Sequence, residues 1–292
     1  MVNLEAKGLS IALFGALAIV PDTAFMRLSG LSGAQMMAWR GLLLATTMVM
    51  VWAITARHRR GDLAALATPP AWAAILAQAV NACGFAWGIA NAPVAVVLFA
   101  VATVPIWAAI LGALTLGDRL SRAALVACAL VIAGVGLSVS GEYEGDGALP
   151  GALAGFAVAM SLASSFTLYR AAPDLPIPLT LGCGAAIAGG VGWIAADTLT
   201  VTDGALWAIW VTGAAILPTS FYALSLASRY TQAANVSLIM LLETVLGPVI
   251  VWLWLGEAVG PRGLTGGAVV VGTLAVYLTH RSLSARRTPD SA

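Results

Sequence analysis

The chain has 292 residues, of which 60% are hydrophobic and only 9% are charged, and its formal net charge at pH 7 is +1. An average soluble domain is about one quarter charged, so this composition cannot coat a water-facing surface. The neutral charge balance also excludes a general attraction to nucleic acid. The sequence therefore predicts an all-α polytopic membrane protein whose main neighbour is membrane lipid.

Ten stretches of the chain are apolar and long enough to cross about 30 Å of hydrocarbon as helices. We interpret the first as a retained span, because its apolar run continues past the signal-peptide-like small residues at 16–18. The connections are short, and the longest polar one is Arg57–Pro70. The predicted spans are Gly8–Met26, Gly33–Ala56, Ala71–Ala90, Ala95–Leu116, Arg122–Ser140, Leu149–Tyr169, Leu179–Asp197, Ala205–Ala227, Ala233–Leu255 and Gly263–Thr279.

Lysine and arginine residues are distributed unevenly between the two sides of this topology. With ten spans, the side that carries both termini holds eleven of them and the opposite side holds two, Arg27 and Arg262. Positive residues favour the cytoplasm, so both termini are predicted to be cytoplasmic. The preference for arginine over lysine, with many alanines and glycines, is typical of GC-rich bacterial genomes, and it predicts a bacterial inner-membrane location.

Residues for enzyme chemistry are missing from the sequence. The three cysteines, Cys83, Cys128 and Cys183, lie in apolar stretches and match neither a disulfide framework nor a zinc pattern. No Walker A, GxSxG or HExxH motif occurs. We therefore expect no catalytic residue, metal or cofactor, and any transport must draw on a gradient of substrate or ions.

The two halves of the chain resemble each other. Residues 114–118 (LTLGD) match residues 253–257 (LWLGE), and residues 24–27 align with residues 167–170. Five spans per copy is an odd number, so the second copy enters the membrane from the opposite side, as in transporters with inverted repeats. The predicted division is a first repeat at 1–140, an external loop at 141–148, a second repeat at 149–280 and a cytoplasmic tail at 281–292.

Three ionisable residues, Asp22, Arg40 and Glu243, lie well inside predicted spans. Each costs about 2.5–3.5 kcal/mol if left unpaired at the bilayer centre. Asp22 and Arg40 fall at similar depth, so two interpretations stay open: a structural ion pair, or a group that holds a charged substrate or, for Asp22, a coupling proton. For Glu243, near the midplane, both helix packing and substrate or proton binding stay open.

Prolines and mixed polar and aromatic stripes mark further residues of a predicted pathway. A proline inside a span frees a backbone carbonyl, which is tolerated beside protein or a wet cavity. Aromatic stripes at helical spacing also occur in ordinary packing, but aromatics beside amides and hydroxyls suit a small amphipathic solute. The predicted hinges or kinks are Pro21, Pro105, Pro218 and Pro248, and the remaining predicted pathway residues are Gln78, Asn81, Phe85, Phe99, Thr103, Trp107, Ser164, Ser165 and Tyr222.

Glycines are concentrated in the fifth, seventh and tenth spans. Small residues let helix backbones approach closely, so these spans are predicted to form a scaffold. A homodimer through the fifth and tenth spans is left open.

Residues 241–248 (LLETVLGP), which run on to 255–257 (LGE), resemble the signature of the EamA-type family of the drug/metabolite transporter superfamily, as does Arg40 after residues 32–35 (SGAQ). The sequence is most similar to the YddG-type aromatic amino acid exporters. It departs from the family pattern at Thr244, where a proline is frequent. The resemblance implies ten helices and export of small metabolites.

The function predicted from these features is secondary transport, with export of amino acids, including aromatic ones, by alternating access around a central cavity. A proton-coupled exporter of drugs or purines, and a proton-coupled importer, are the alternatives among transporters. A membrane enzyme that acts on lipids would need a nucleophile or metal set that the sequence does not offer. A receptor or scaffold would not require the inverted repeat.

Overall fold

The fold is that of a helical bundle, in a computed structural model that describes residues 2–92, 94–118, 122–139, 148–200 and 205–255, with isolated positions between 265 and 277. Helices account for 86% of the described residues, and these residues form no strand. The predicted all-α fold class is therefore confirmed for this part of the chain. The 141–147 part of the predicted loop, the tail from 281 and most of the tenth predicted span lie outside the described residues.

The helices follow the predicted spans closely, but several spans consist of more than one helix. They are α1 (Val2–Ile19), α2 (Asp22–Ser29), α3 (Gly33–Thr55), α4 (Arg59–Ala65), α5 (Pro69–Asn91), α6 (Val94–Val101), α7 (Val104–Leu116), α8 (Arg122–Val139), α9 (Ala148–Ala171), α10 (Ile177–Ala195), α11 (Leu206–Val211), the π-helical turn Thr212–Ile216, α12 (Leu217–Ala227), α13 (Ala233–Met240) and α14 (Leu242–Leu255).

Six helical stretches are long and apolar enough to cross a membrane. They coincide with the first, second, third, sixth, seventh and eighth predicted spans. Large apolar side chains on these helices are exposed, for example Ile54 at 84% and Ile194 at 87%. Such exposure is unfavourable in water and normal in lipid. Composition and exposure together indicate a multi-pass membrane protein.

Interruptions divide four of the predicted spans. The break between α1 and α2 is at Pro21, and α7 carries Pro105 in its first turn. In the eighth span the π-helical turn precedes Pro218, which lies in the first turn of α12. Pro105 lies at the start of a new helix, so it loses no bond that this helix would otherwise make. The chain is already helical before Pro218, so its missing N–H removes one helical hydrogen bond. In the ninth span the interruption lies at Leu241, and the backbone of α14 continues past position 248. The side chain of Pro248 is outside the described set.

The closest helix contact joins α3 and α10, and it depends on glycines. A Cβ atom built on Gly192 would lie 2.3 Å from the Ala38 backbone nitrogen, and one built on Gly41 would lie 2.5 Å from the backbone nitrogen of Gly189. Atoms cannot approach so closely, so only glycine permits this separation of the helices. The predicted scaffold role of the seventh span agrees with this packing.

Around the α3–α10 pair, the other helices pack in a regular order. Helix α5 packs on α9 and α10, and α1 packs on α12 and α13. Helix α7 packs on α9 and α13, and the π-helical turn packs on α3. The interrupted segments therefore meet near the centre of the bundle.

Polar contacts at one end of the bundle join connections that the sequence places on the same side. Arg170, at the end of α9, forms an ion pair with Asp118, after α7. Arg229 donates to the carbonyl of Leu175, and the Lys7 ammonium lies 4.5 Å from the ring centroid of Tyr230. The pKa of Arg229 lies below its usual value, because the effect of burial outweighs the opposing effect of nearby tyrosines and Asp174.

The opposite end is held by a second set of hydrogen bonds. Ser32 and Gln35 form a capping box at the start of α3. The Gln35 amide also donates to the carbonyls of Thr198 and Thr200, at 3.0 and 3.3 Å, and Trp39 Nε1 donates to the Leu199 carbonyl at 3.2 Å. These bonds fix the start of α3 against the connection that follows α10.

Candidate functional site

A cavity lies where the interrupted helices meet. It contains about 820 Å³ of space free of protein atoms, counting the part continuous with solvent. Its wall is mainly apolar, with a few charged and amide groups. The lining residues are Ile19, Asp22, Met36, Met37, Arg40, Gly41, Leu44, Gln78, Asn81, Ala82, Phe85, Ala86, Leu98, Val101, Val104, Leu162, Leu217, Phe221, Ser237, Met240, Leu241, Glu243 and Thr244.

An ion pair between Asp22 and Arg40 forms part of this wall. Arg40 Nη2 donates to Asp22 Oδ2 at 2.5 Å, and Arg40 Nη1 lies 2.7 Å from the sulfur of Met26. Asp22 is 1% exposed and Arg40 is 7% exposed. Charges buried to this extent require a partner. Asp22 and Arg40 therefore bind each other and also line the cavity.

Local structure explains why these two side chains meet. The break at Pro21 makes Asp22 the first residue of α2, where the partial positive charge of a helix start favours a carboxylate. Arg40 lies one to two turns after the capping box that anchors α3. A Cβ built on Gly213 of the π-helical turn would lie 3.2 Å from the Arg40 Cα atom, so the turn packs directly behind Arg40.

Glu243 occupies an equivalent position in the ninth span. It lies in the first turn of α14, directly after the interruption at Leu241. It is 6% exposed and interacts electrostatically with both Asp22 and Arg40. Interruptions in the first and ninth spans therefore each place a carboxylate at the cavity wall.

Several polar atoms around the cavity have no hydrogen-bond partner within the described part of the chain. They include Asp22 Oδ1, Arg40 Nε and Glu243 Oε1. A buried polar atom without a partner costs about 1–3 kcal/mol, and more when it is charged. Such atoms at a cavity wall are available to an occupant.

Six of the twelve predicted pathway residues line the cavity: Asp22, Arg40, Gln78, Asn81, Phe85 and Glu243. Five of the others lie outside this lining. Thr103 donates to the Ala100 carbonyl at 2.6 Å, and Ser164 donates to the Met160 carbonyl at 2.7 Å. Trp107, Ser165 and Tyr222 pack outside the lining, and the side chain of Phe99 is not among those described.

Some lining residues were not found from the sequence, although two stripes carry a signal. Met36, Arg40 and Leu44 follow one another at intervals of four residues on α3, and Ser237, Leu241 and Thr244 follow similar spacing across α13 and α14. Each stripe contains or adjoins an intramembrane charge. Searching the positions three or four residues from each charge would have identified Met36 and Leu44 beside Arg40, and Met240 beside Glu243.

Comparisons with known proteins bear on the fold. No family model and no curated protein matches the sequence. A solved crystal structure of a protein is similar over 97% of this chain and 98% of its own, with a TM-score of 0.77 and 18% identity. At that identity the likeness concerns the fold alone.

Proposed function

We propose that the protein is a secondary transporter that exports small metabolites, with amino acids, including aromatic ones, as its substrates. The observation that carries this proposal is the central cavity, whose charged groups come from the interrupted spans. A buried site with apolar walls and a few fixed polar groups suits a small amphipathic solute. No sequence feature supplies an alternative chemistry for such a site.

The lining matches the parts of an amino acid. Asp22 and Glu243 offer carboxylate oxygens for an ammonium group. Arg40 Nε and the amides of Gln78 and Asn81 offer donors for a carboxylate. Phe85, Phe221 and Leu44, with other apolar residues, offer a surface for a large side chain.

The proposal includes a topology of ten spans in two inverted repeats. Both termini are cytoplasmic, and the protein lies in a bacterial inner membrane. The packing order supports the repeat. Shifting each span by five positions converts the α5–α9 contact into the α12–α1 contact, and the α6–α9 contact into the α13–α1 contact. The fourth and ninth spans, which correspond in the two repeats, are both interrupted. Interrupted helices at corresponding positions are typical of substrate sites in transporters with alternating access.

Counterflow in proteoliposomes tests the function. Vesicles that contain the protein and unlabelled amino acid should accumulate labelled phenylalanine, tryptophan, methionine or threonine from outside, with no ion gradient imposed. Vesicles without protein give the background. Folded protein that accumulates none of these amino acids would contradict the amino acid assignment.

Purines and cationic drugs under a proton gradient form the second arm of the experiment. Uptake of these solutes alone would support the proton-coupled alternative.

The single-residue variant Glu243→Gln tests whether the cavity carboxylate is needed for transport. Its control is Asp174→Asn on an exposed turn, which shows the general effect of losing a carboxylate.

A further inference from the structure

We propose that Asp22 Oδ1 and Glu243 Oε1 form the recognition site for the ammonium group of the solute, and that a solute carboxylate is dispensable. This inference rests on the proposed transport function and specifies the chemistry of its substrates. It extends them to organic monocations, such as aryl alkyl amines and amino acid amides. It excludes solutes that carry a carboxylate without an ammonium group.

The charges of the cavity lining carry the argument. The lining contains two carboxylates, Asp22 and Glu243, and one cation, Arg40. Burying an uncompensated carboxylate away from water is costly. Such a carboxyl group takes up either a proton or a cation. A bound ammonium group can supply that positive charge, whereas a bound carboxylate would add a further negative charge.

The hydrogen-bonding state of Arg40 points in the same direction. Its Nη2 is engaged by Asp22 Oδ2 and its Nη1 lies against the Met26 sulfur, so Nε is the guanidinium nitrogen that lacks a partner. A carboxylate binds arginine best through two parallel bonds. Arg40 cannot offer that geometry without giving up Asp22.

Two carboxyl oxygens at the cavity wall, by contrast, can accept hydrogen bonds from a solute. Asp22 Oδ1 and Glu243 Oε1 are both buried and have no partner within the described residues. An ammonium group has three donors, so it can donate to more than one acceptor. Asp22 and Glu243 line the same cavity and lie close enough to interact electrostatically. Hydrogen bonds between charged groups are the strong ones, so this contact would dominate recognition of the polar end of the solute.

A ligand series with one aromatic body tests the inference on purified full-length protein in detergent. Phenethylamine, phenylalanine amide, phenylalanine and 3-phenylpropionate are titrated by calorimetry, with thermal stabilisation as a second readout. We expect the first two to bind at least as tightly as phenylalanine, and 3-phenylpropionate to bind about tenfold more weakly or worse. Equal or tighter binding of 3-phenylpropionate would overturn the proposal.

Two single-residue variants test whether Glu243 contributes to ammonium recognition. Glu243→Gln should weaken phenethylamine binding about tenfold and reduce the difference between the amine and 3-phenylpropionate. Asp174→Asn, which removes an exposed carboxylate far along the chain from the lining, should leave both unchanged. An unchanged amine affinity in folded Glu243→Gln protein would remove Glu243 from the recognition site.

Different results would contradict the proposal of amino acid export and the proposal of an ammonium site. Selective amine binding without amino acid counterflow would contradict amino acid export but retain the ammonium site. Amino acid counterflow that 3-phenylpropionate inhibits as well as phenethylamine does would retain the transporter but contradict the ammonium site. The ligand series needs no variant, so a folding defect in Glu243→Gln cannot leave the question open.

Discussion

Arg40 of α3 and Asp22 of α2 form an ion pair that is also part of the cavity wall, with the Nη2–Oδ2 distance at 2.5 Å. The pair joins the start of an interrupted helix to an uninterrupted one. It fixes the position of the Asp22 oxygen that has no partner. Stability and solute recognition therefore depend on the same two residues.

Breaking this pair from one side should destabilise the protein. Asp22→Asn removes the carboxylate that binds the buried guanidinium, and Arg40→Met removes the cation that binds the buried carboxylate. Removing one partner of a buried pair costs about 3–5 kcal/mol. We expect each single variant to unfold at a clearly lower temperature, measured by thermal unfolding in detergent.

The double variant Asp22→Asn with Arg40→Met provides the control, because it leaves neither member of the pair without its partner. It should be more stable than the sum of the two single effects predicts. It should nevertheless fail in counterflow, because it has lost the negative charge of Asp22. Single variants as stable as the parent protein would show that the pair is not needed for folding.

Neutralising Glu243 should separate transport from folding. Glu243 contributes one of the unpartnered oxygens of the cavity, and glutamine keeps its shape while removing the charge. We expect Glu243→Gln to abolish counterflow while gel-filtration behaviour and helical content match the parent protein. Normal counterflow by this variant would exclude Glu243 from the mechanism.

Two neighbouring glycines on α10 provide a matched pair for the helix packing. A Cβ on Gly192 would lie 2.3 Å from the Ala38 backbone nitrogen, whereas a Cβ on Gly190 would meet no atom within 4 Å. Gly192→Ala should therefore lower stability by about 1–3 kcal/mol or more through overpacking, and Gly190→Ala should change it little. Thermal unfolding of the two variants checks this, and equal stability would contradict the close contact of α3 and α10.

The two ends of the bundle should face opposite sides of the membrane. Asp174 is near Arg229 at the end that the sequence assigns to the cytoplasm, and Thr198 is at the other end, held by Gln35. In a background without Cys83, Cys128 and Cys183, Asp174→Cys should react with an impermeant maleimide only in inside-out vesicles. Thr198→Cys should react only in right-side-out vesicles. Labelling of both from one side would contradict the topology.

Part of the site could be predicted because charge inside an apolar span is a local signal. Asp22, Arg40 and Glu243 were identified this way, and all three line the cavity. Residues chosen only for polarity and spacing were placed less well. Thr103 and Ser164 instead donate their hydroxyl groups to backbone carbonyls three and four residues earlier in the chain, which a stripe on a helix cannot reveal.

The rotation of a helix about its own axis decides which of two adjacent side chains lines the cavity. Tyr222 was predicted to face the pathway, but the adjacent Phe221 lines the cavity. One residue turns a helix by about 100°, so a small change in rotation exchanges neighbouring side chains. That rotation follows from the packing of α12 against α1, with Gly15 lying against Leu224 and Ala223.

By itself, the sequence determined that the chain is a helical membrane protein, where most of its helices lie, and which three charges are buried within them. These are local properties, because composition and helix length set the free energy of transfer into lipid segment by segment. Only the tertiary structure decided that Asp22 pairs with Arg40, that the ninth predicted span is interrupted at Leu241, and which side chains share one cavity. Those features depend on how closely the glycine faces allow helices to approach, which no single segment encodes.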